Sequence, residues 1–196
     1  MACLSSCTEL PRTAEVIKRV LGYTLNYPGA TRWNSLYDSI TRIVEVKDKV
    51  PDLFNKLDIA NHFKESELQY LIDYLAVVKP IAIALDILQR QDNVFFLGYI
   101  LPCLVSIYTK FCRMQAEQTA QSAGPILNFC KTGLIERFQK YFELTKPEAQ
   151  EAVLAAFTLP QFKLKWITNF QVFVENTSAR DFSDFITRLI VETAIK

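Results

Sequence analysis

The chain has 196 residues, half of them hydrophobic, with 22 Lys and Arg against 21 Asp and Glu and a single His. That is the composition of an ordinary globular chain, one large domain or one with a small appendage. A net charge of +1 excludes a globally basic nucleic-acid or membrane-surface binder. Five glycines, against a usual share of about 7%, argue against a turn-rich β fold and a glycine-cradled phosphate site.

Apolar residues recur at helical spacing almost throughout. The first helix is expected from Thr13, with Ala14, Ile17, Val20 and Leu21 on one stripe, Glu15, Lys18 and Arg19 on the other, and Gly22 as its stop. Residues 23–27 alternate and read as a short strand before the Pro28-Gly29 turn. Thr31 is placed to cap a second helix through Trp33, Leu36, Tyr37, Ile40, Ile43 and Val44, which Pro51 ends, followed by a turn over 52–57. A long helix is expected over 65–90, bent or broken at Pro80, and another over 94–121, kinked near Pro102. The uncharged run 93–109 is shorter than the about 20 residues of a membrane span and reads as a buried core helix.

Residues 125–143 continue in helical period, with Ile126, Leu127, Phe129, Cys130, Leu134, Ile135, Phe138, Tyr141 and Phe142 forming a wide buried face. Thr145 and Glu148 have the spacing of a capping box, with Pro147 in the first turn of the helix that follows. A last helix starts at Ser178 and buries Phe182, Phe185, Ile186, Leu189 and Ile190. The result is an all-α, irregular multi-helix domain of about eight helices.

Recognisable chemistry is sparse. The phosphate-cradling, dinucleotide, serine-hydrolase and zinc-protease motifs are missing. Cys3, Cys7, Cys103, Cys112 and Cys130 are odd in number and scattered, as reduced thiols of an intracellular protein are, and His62 stands in a polar loop. The acidic pairs Glu65/Glu67, Glu148/Glu151 and Asp181/Asp184 have the chemistry of divalent-metal ligands, but each begins a helix, where carboxylates stabilise exposed N–H groups, and that capping role is the preferred reading. No metal, cofactor or membrane partner is expected.

The informative segment is 28–38, PGATRWNSLYD. It places a cation, a large π surface and an amide near a helix start, a combination that can hold a phosphate while stacking on an unpaired base, and that equally describes a helix start with a core Trp. Here Pro28, Thr31, Arg32, Trp33, Asn34, Ser35, Tyr37 and Asp38 resemble the arginine-tryptophan motif of the hAT superfamily of DNA transposases and the host genes derived from them. The preceding helix, residues 14–22 with Leu25, is similar to the segment that leads into that motif. Residues 67–80 resemble the family's acidic, leucine-rich helix ending in Lys-Pro, and 155–163 its A-x-x-L-D-P-R-F-K segment, with Leu159 and Gln161 in place of the Asp and Arg.

The resemblance, over roughly residues 12–167, implies a fragment. Family transposases insert a large helical domain into an RNase H-like core that uses two aspartates and a glutamate. Both aspartates lie upstream of the motif, where 31 residues stand here, and no match to the glutamate's region follows Lys163. The resemblance therefore implies that 1–30 is a helix and flank of an incomplete core and 31–196 an insertion-type helical domain. It implies a catalytically inactive, degenerate or domesticated module that binds hairpin or unpaired DNA through Arg32, Trp33 and Asn34. The net charge of +1 makes such binding weak, and Arg12, Lys18, Arg19 and Arg42, basic residues near the motif, are the candidate helpers. The alternative is a protein-interaction or self-association domain with no DNA role. A nuclear location follows from the resemblance only.

Overall fold

The computed structural model describes residues 6–22, 34–60, 64–89, 96–163, 165–170, 173 and 179–195, with the side chains of 6–12, 179, 182 and 194 outside the description. Among the described residues the chain is all-helical, with nine α-helices, two 3-10 turns and no strand. It divides into two compact units, Met1–Val78 and Lys79–Lys196, the boundary falling inside one helix.

In the first unit, α1 (Ser6–Leu21) begins seven residues before the expected start. Gly22 ends it as expected: its φ of +90° is open to glycine, and its N–H donates to the Lys18 carbonyl at 2.9 Å. The second helix, α2 (Ser35–Glu45), has Asn34 rather than Thr31 at its N-cap position. Pro51 does not end this helix. A 3-10 turn, Lys47–Lys49, intervenes, and the residues expected as a turn form α3 (Val50–Lys56), with Pro51 in its first turn, where a missing N–H costs nothing. Leu21, Val46 and Leu53 close a small core against Val16, Ile17, Val20, Val50 and Leu57.

The helix α4 (Glu65–Leu88) runs through Pro80 without interruption. Proline removes the donor for the carbonyl four residues earlier, that of Ala76, and Ala76 is exposed, so water can take the donor's place. At the start, the Glu67 carboxylate accepts the Lys64 backbone N–H at 2.9 Å, the capping role weighed for this acidic pair.

The second unit is built on α5 (Phe96–Ala116), which buries nine residues and likewise passes Pro102 uninterrupted. After a 3-10 turn, Gln121–Ala123, come α6 (Gly124–Phe142), α7 (Pro147–Thr158), the short α8 (Ile167–Phe170), which periodicity did not foreshadow, and α9 (Ala179–Ala194). The expected capping box at Thr145 is not formed: Lys146 occupies the N-cap of α7 and makes no side-chain cap bond. Ala149, Ala152, Val153 and Ala156 give α7 a fully buried face of small side chains. This lets α5 approach so closely that a Cβ on Gly98 would lie 2.7 Å from the Ala155 carbonyl oxygen. An aromatic cluster closes the far side of the unit, with Phe142 stacked on Phe173 at 4.1 Å and Trp166 edge-on to Phe170 at 5.5 Å. No helix among the described residues is long and apolar enough to cross a membrane.

Candidate functional site

The sequence-expected DNA residues lie in the first unit. Arg32 and Trp33 fall outside the described residues, as do the expected strand over 23–27, Thr31, His62 and Ser178, and the side chain of Arg12 is likewise not described. Asn34 is half-buried, and its carbonyl accepts the Asp38 N–H at 2.9 Å, the first bond of α2. Lys18 and Arg19 are exposed in the last turn of α1, where cations favour the helix dipole, and Arg42 is exposed in the last turn of α2.

A different surface stands out in the second unit. Ile81, Ala84, Leu85 and Leu88 recur at i, i+3, i+4 and i+7 on the second half of α4 and form one wall of a cleft. Cys103, Leu104 and Ile107 of α5 form its floor. The opposite wall is α6, which contributes Phe129, Cys130, Gly133, Leu134, Arg137 and Phe138. The cavity holds about 270 Å³, and among the described residues Arg137 is the one charged side chain on it.

The expectation of a wide buried face on α6 is corrected here. Leu127, Leu134 and Phe142 are buried, but Phe129 is 79% exposed and Phe138 is 36% exposed. The wide face is split between two environments: its buried members meet the core, while Phe129 stands on the rim of the cleft. Gly133, one turn beyond Phe129, leaves the wall open, because a Cβ there would meet nothing within 4 Å. At Phe138 the backbone leaves helical geometry, with φ −114° and ψ 16°.

The chemistry of this cleft is that of packing. Burial pushes the Cys103 thiol up to about 11 and the Cys130 thiol up as well, so at neutral pH Cys103 carries about a hundredth of the thiolate of an ordinary cysteine. These thiols behave as small hydrophobes and not as nucleophiles. Cys103, Cys112 and Cys130 are free, and no group of three metal-ligating side chains forms among the described residues. Lone apolar residues on a surface need no explanation; Phe129 differs from them in standing beside an open apolar cleft.

Gln161 and Leu159 have structural partners: the Gln161 amide donates to the Tyr99 hydroxyl, and Leu159 is buried near Gly98. Phe129 is the most exposed of the α6 residues whose spacing is that of a core position. Compared with known proteins, the chain matches no protein-family model, no curated protein and no solved structure.

Proposed function

We propose that the chain is a non-catalytic helical module that docks an amphipathic helix in the cleft between α4, α5 and α6. The observation that carries this reading is Phe129, 79% exposed on the rim of an apolar cavity that has one charge on it among the described residues. A helix laid in such a groove buries apolar anchors at i, i+3, i+4 and i+7, and a rim aromatic supplies large contact area at low entropy cost. Among the described residues the walls carry no acid, base or metal-ligating set, which favours binding over reaction. The likeness of residues 28–38 to the hAT arginine-tryptophan motif supports descent from a transposase insertion domain.

A second reading keeps a DNA role in the first unit. It is favoured by the motif itself and by the exposed cations Lys18, Arg19 and Arg42. With a net charge of +1, a few phosphate contacts give weak binding that salt removes.

One set of anisotropy titrations tests both. The probes are a fluorescein-labelled amphipathic helical peptide, with leucines at i, i+3, i+4 and i+7 and glutamates elsewhere, and a labelled hairpin DNA with unpaired bases. The variants are Gly133→Leu, which places a side chain on the wall of the cleft where a Cβ meets nothing within 4 Å and removes a helical glycine, and Trp33→Ala. Peptide binding that weakens at least about tenfold in Gly133→Leu is expected. Peptide binding that is absent or indifferent to Gly133→Leu overturns the docking reading, and salt-sensitive hairpin binding lost in Trp33→Ala then establishes the DNA reading in its place.

A further inference from the structure

We propose that the occupant of the cleft is a second copy of this chain, docked α6 against α6 about a two-fold axis through Gly133. This rests on the cleft being a docking surface and adds the identity of what docks.

Of the six residues that α6 contributes to the cavity, Phe129, Gly133 and Arg137 lie four apart on the stripe beside that of Cys130, Leu134 and Phe138. Phe129 is exposed and has no ring neighbour among the described residues. Gly133 leaves open space where a side chain would stand. Arg137 is exposed and outside the three ion pairs formed among the described residues. A large knob, a gap and a cation therefore follow one another along one helical stripe.

This pattern is its own complement. When two α6 helices cross antiparallel at Gly133, Phe129 and Arg137 lie about 6 Å to either side of the crossing along the axis. Phe129 of each copy then falls opposite Arg137 of the other. The guanidinium finds the negative face of the ring, a cation–π contact that strengthens as water leaves. Glycine at the crossing lets the two backbones approach, and Phe129 covers the mouth of the facing cavity. Among the described residues no carboxylate lines the cleft, so a cation–π pair supplies an electrostatic partner for Arg137. An isologous dyad makes each contact twice, while an unrelated partner must bring both a ring and a filler at matching spacing.

Sedimentation equilibrium of the full chain tests this with two opposite charges at one exposed position. Wild type is expected to associate to twice its 22.5 kDa at micromolar concentration. Phe129→Lys sets Lys against Arg137 and is expected to weaken association at least about thirtyfold. Phe129→Glu meets Arg137 as an ion pair and is expected to hold within about tenfold of wild type. Phe129→Lys combined with Arg137→Glu is expected to restore association. A wild type that stays monomeric to about 100 µM, or equal losses in Phe129→Lys and Phe129→Glu, overturns the dyad. Binding of the amphipathic peptide by such a monomer leaves the docking reading standing and identifies the partner as another chain.

Discussion

Phe170→Ala is expected to destabilise the second unit by about 3–5 kcal/mol, the range for truncating a fully buried aromatic. Phe170 is 0% exposed, lies edge-on to Trp166, and contacts Phe142 and Phe173 with centroids 6.3 and 5.8 Å away. Removing the ring leaves a cavity at the point where α6, α8 and Phe173 meet, and three rigid neighbouring rings cannot collapse into it. The loss exceeds the transfer free energy of the side chain because the lining also forfeits its dispersion contacts. A thermal melt followed by far-ultraviolet circular dichroism should fall by about 10 °C or more. A change within the spread of surface substitutions would mean that the aromatic cluster does not close this unit.

Gly98→Ala is expected to be the second costly change, at about 1–3 kcal/mol, against the direction of helix propensity. Alanine in mid-helix ordinarily gains up to about 1 kcal/mol over glycine. Here the new Cβ would sit 2.6 Å from Leu159 Cδ1 and 2.7 Å from the Ala155 carbonyl oxygen. The leucine can rotate away, but the carbonyl belongs to the backbone of α7 and can retreat only if the two helices move apart. Gly133→Ala is the internal control: it makes the same chemical change in another helix, meets nothing within 4 Å, and should raise the melting temperature. Opposite signs for the two substitutions confirm the close α5–α7 approach, and like signs contradict it.

The helices were legible in the sequence because their apolar period is strong: α4, α5, α6 and α9 fall within a few residues of where periodicity places them. The boundaries were less so, because several residue types serve either side of one. Pro51 stops a helix or starts one with equal ease, and only the turn at Lys47–Lys49 decides that it starts α3. The Thr145 and Glu148 spacing satisfies a capping box, yet α7 begins one residue later, behind Lys146. Pro80 reads as a bend or break and Pro102 as a kink; both helices continue through the proline, which costs one hydrogen bond in a helix of more than twenty residues.

The candidate site was not legible, for a reason that α6 makes plain. Spacing assigns Phe129, Cys130, Leu134 and Phe138 to one apolar face, and they do share a face. How much of a face is covered depends on where α4 lies, some forty residues earlier in the chain, and no local pattern reports that. The glycine at 133 was the one available signal, since it interrupts an apolar stripe with an absent side chain. The DNA reading has the opposite character, a specific motif in sequence whose two central residues fall outside the described structure.

The most direct measurement is photo-crosslinking from the rim of the cleft. Benzoyl-phenylalanine at position 129 keeps an aromatic group there and reports by covalent bond what comes to rest against it. Irradiation of the purified chain, alone and with the amphipathic peptide, is expected to give an adduct with a second copy near Gly133 and Arg137, or with the added peptide, lost in either case when Gly133 is replaced by Leu. Irradiation that yields neither adduct, with the probe left free to react with solvent, contradicts the cleft as a docking site.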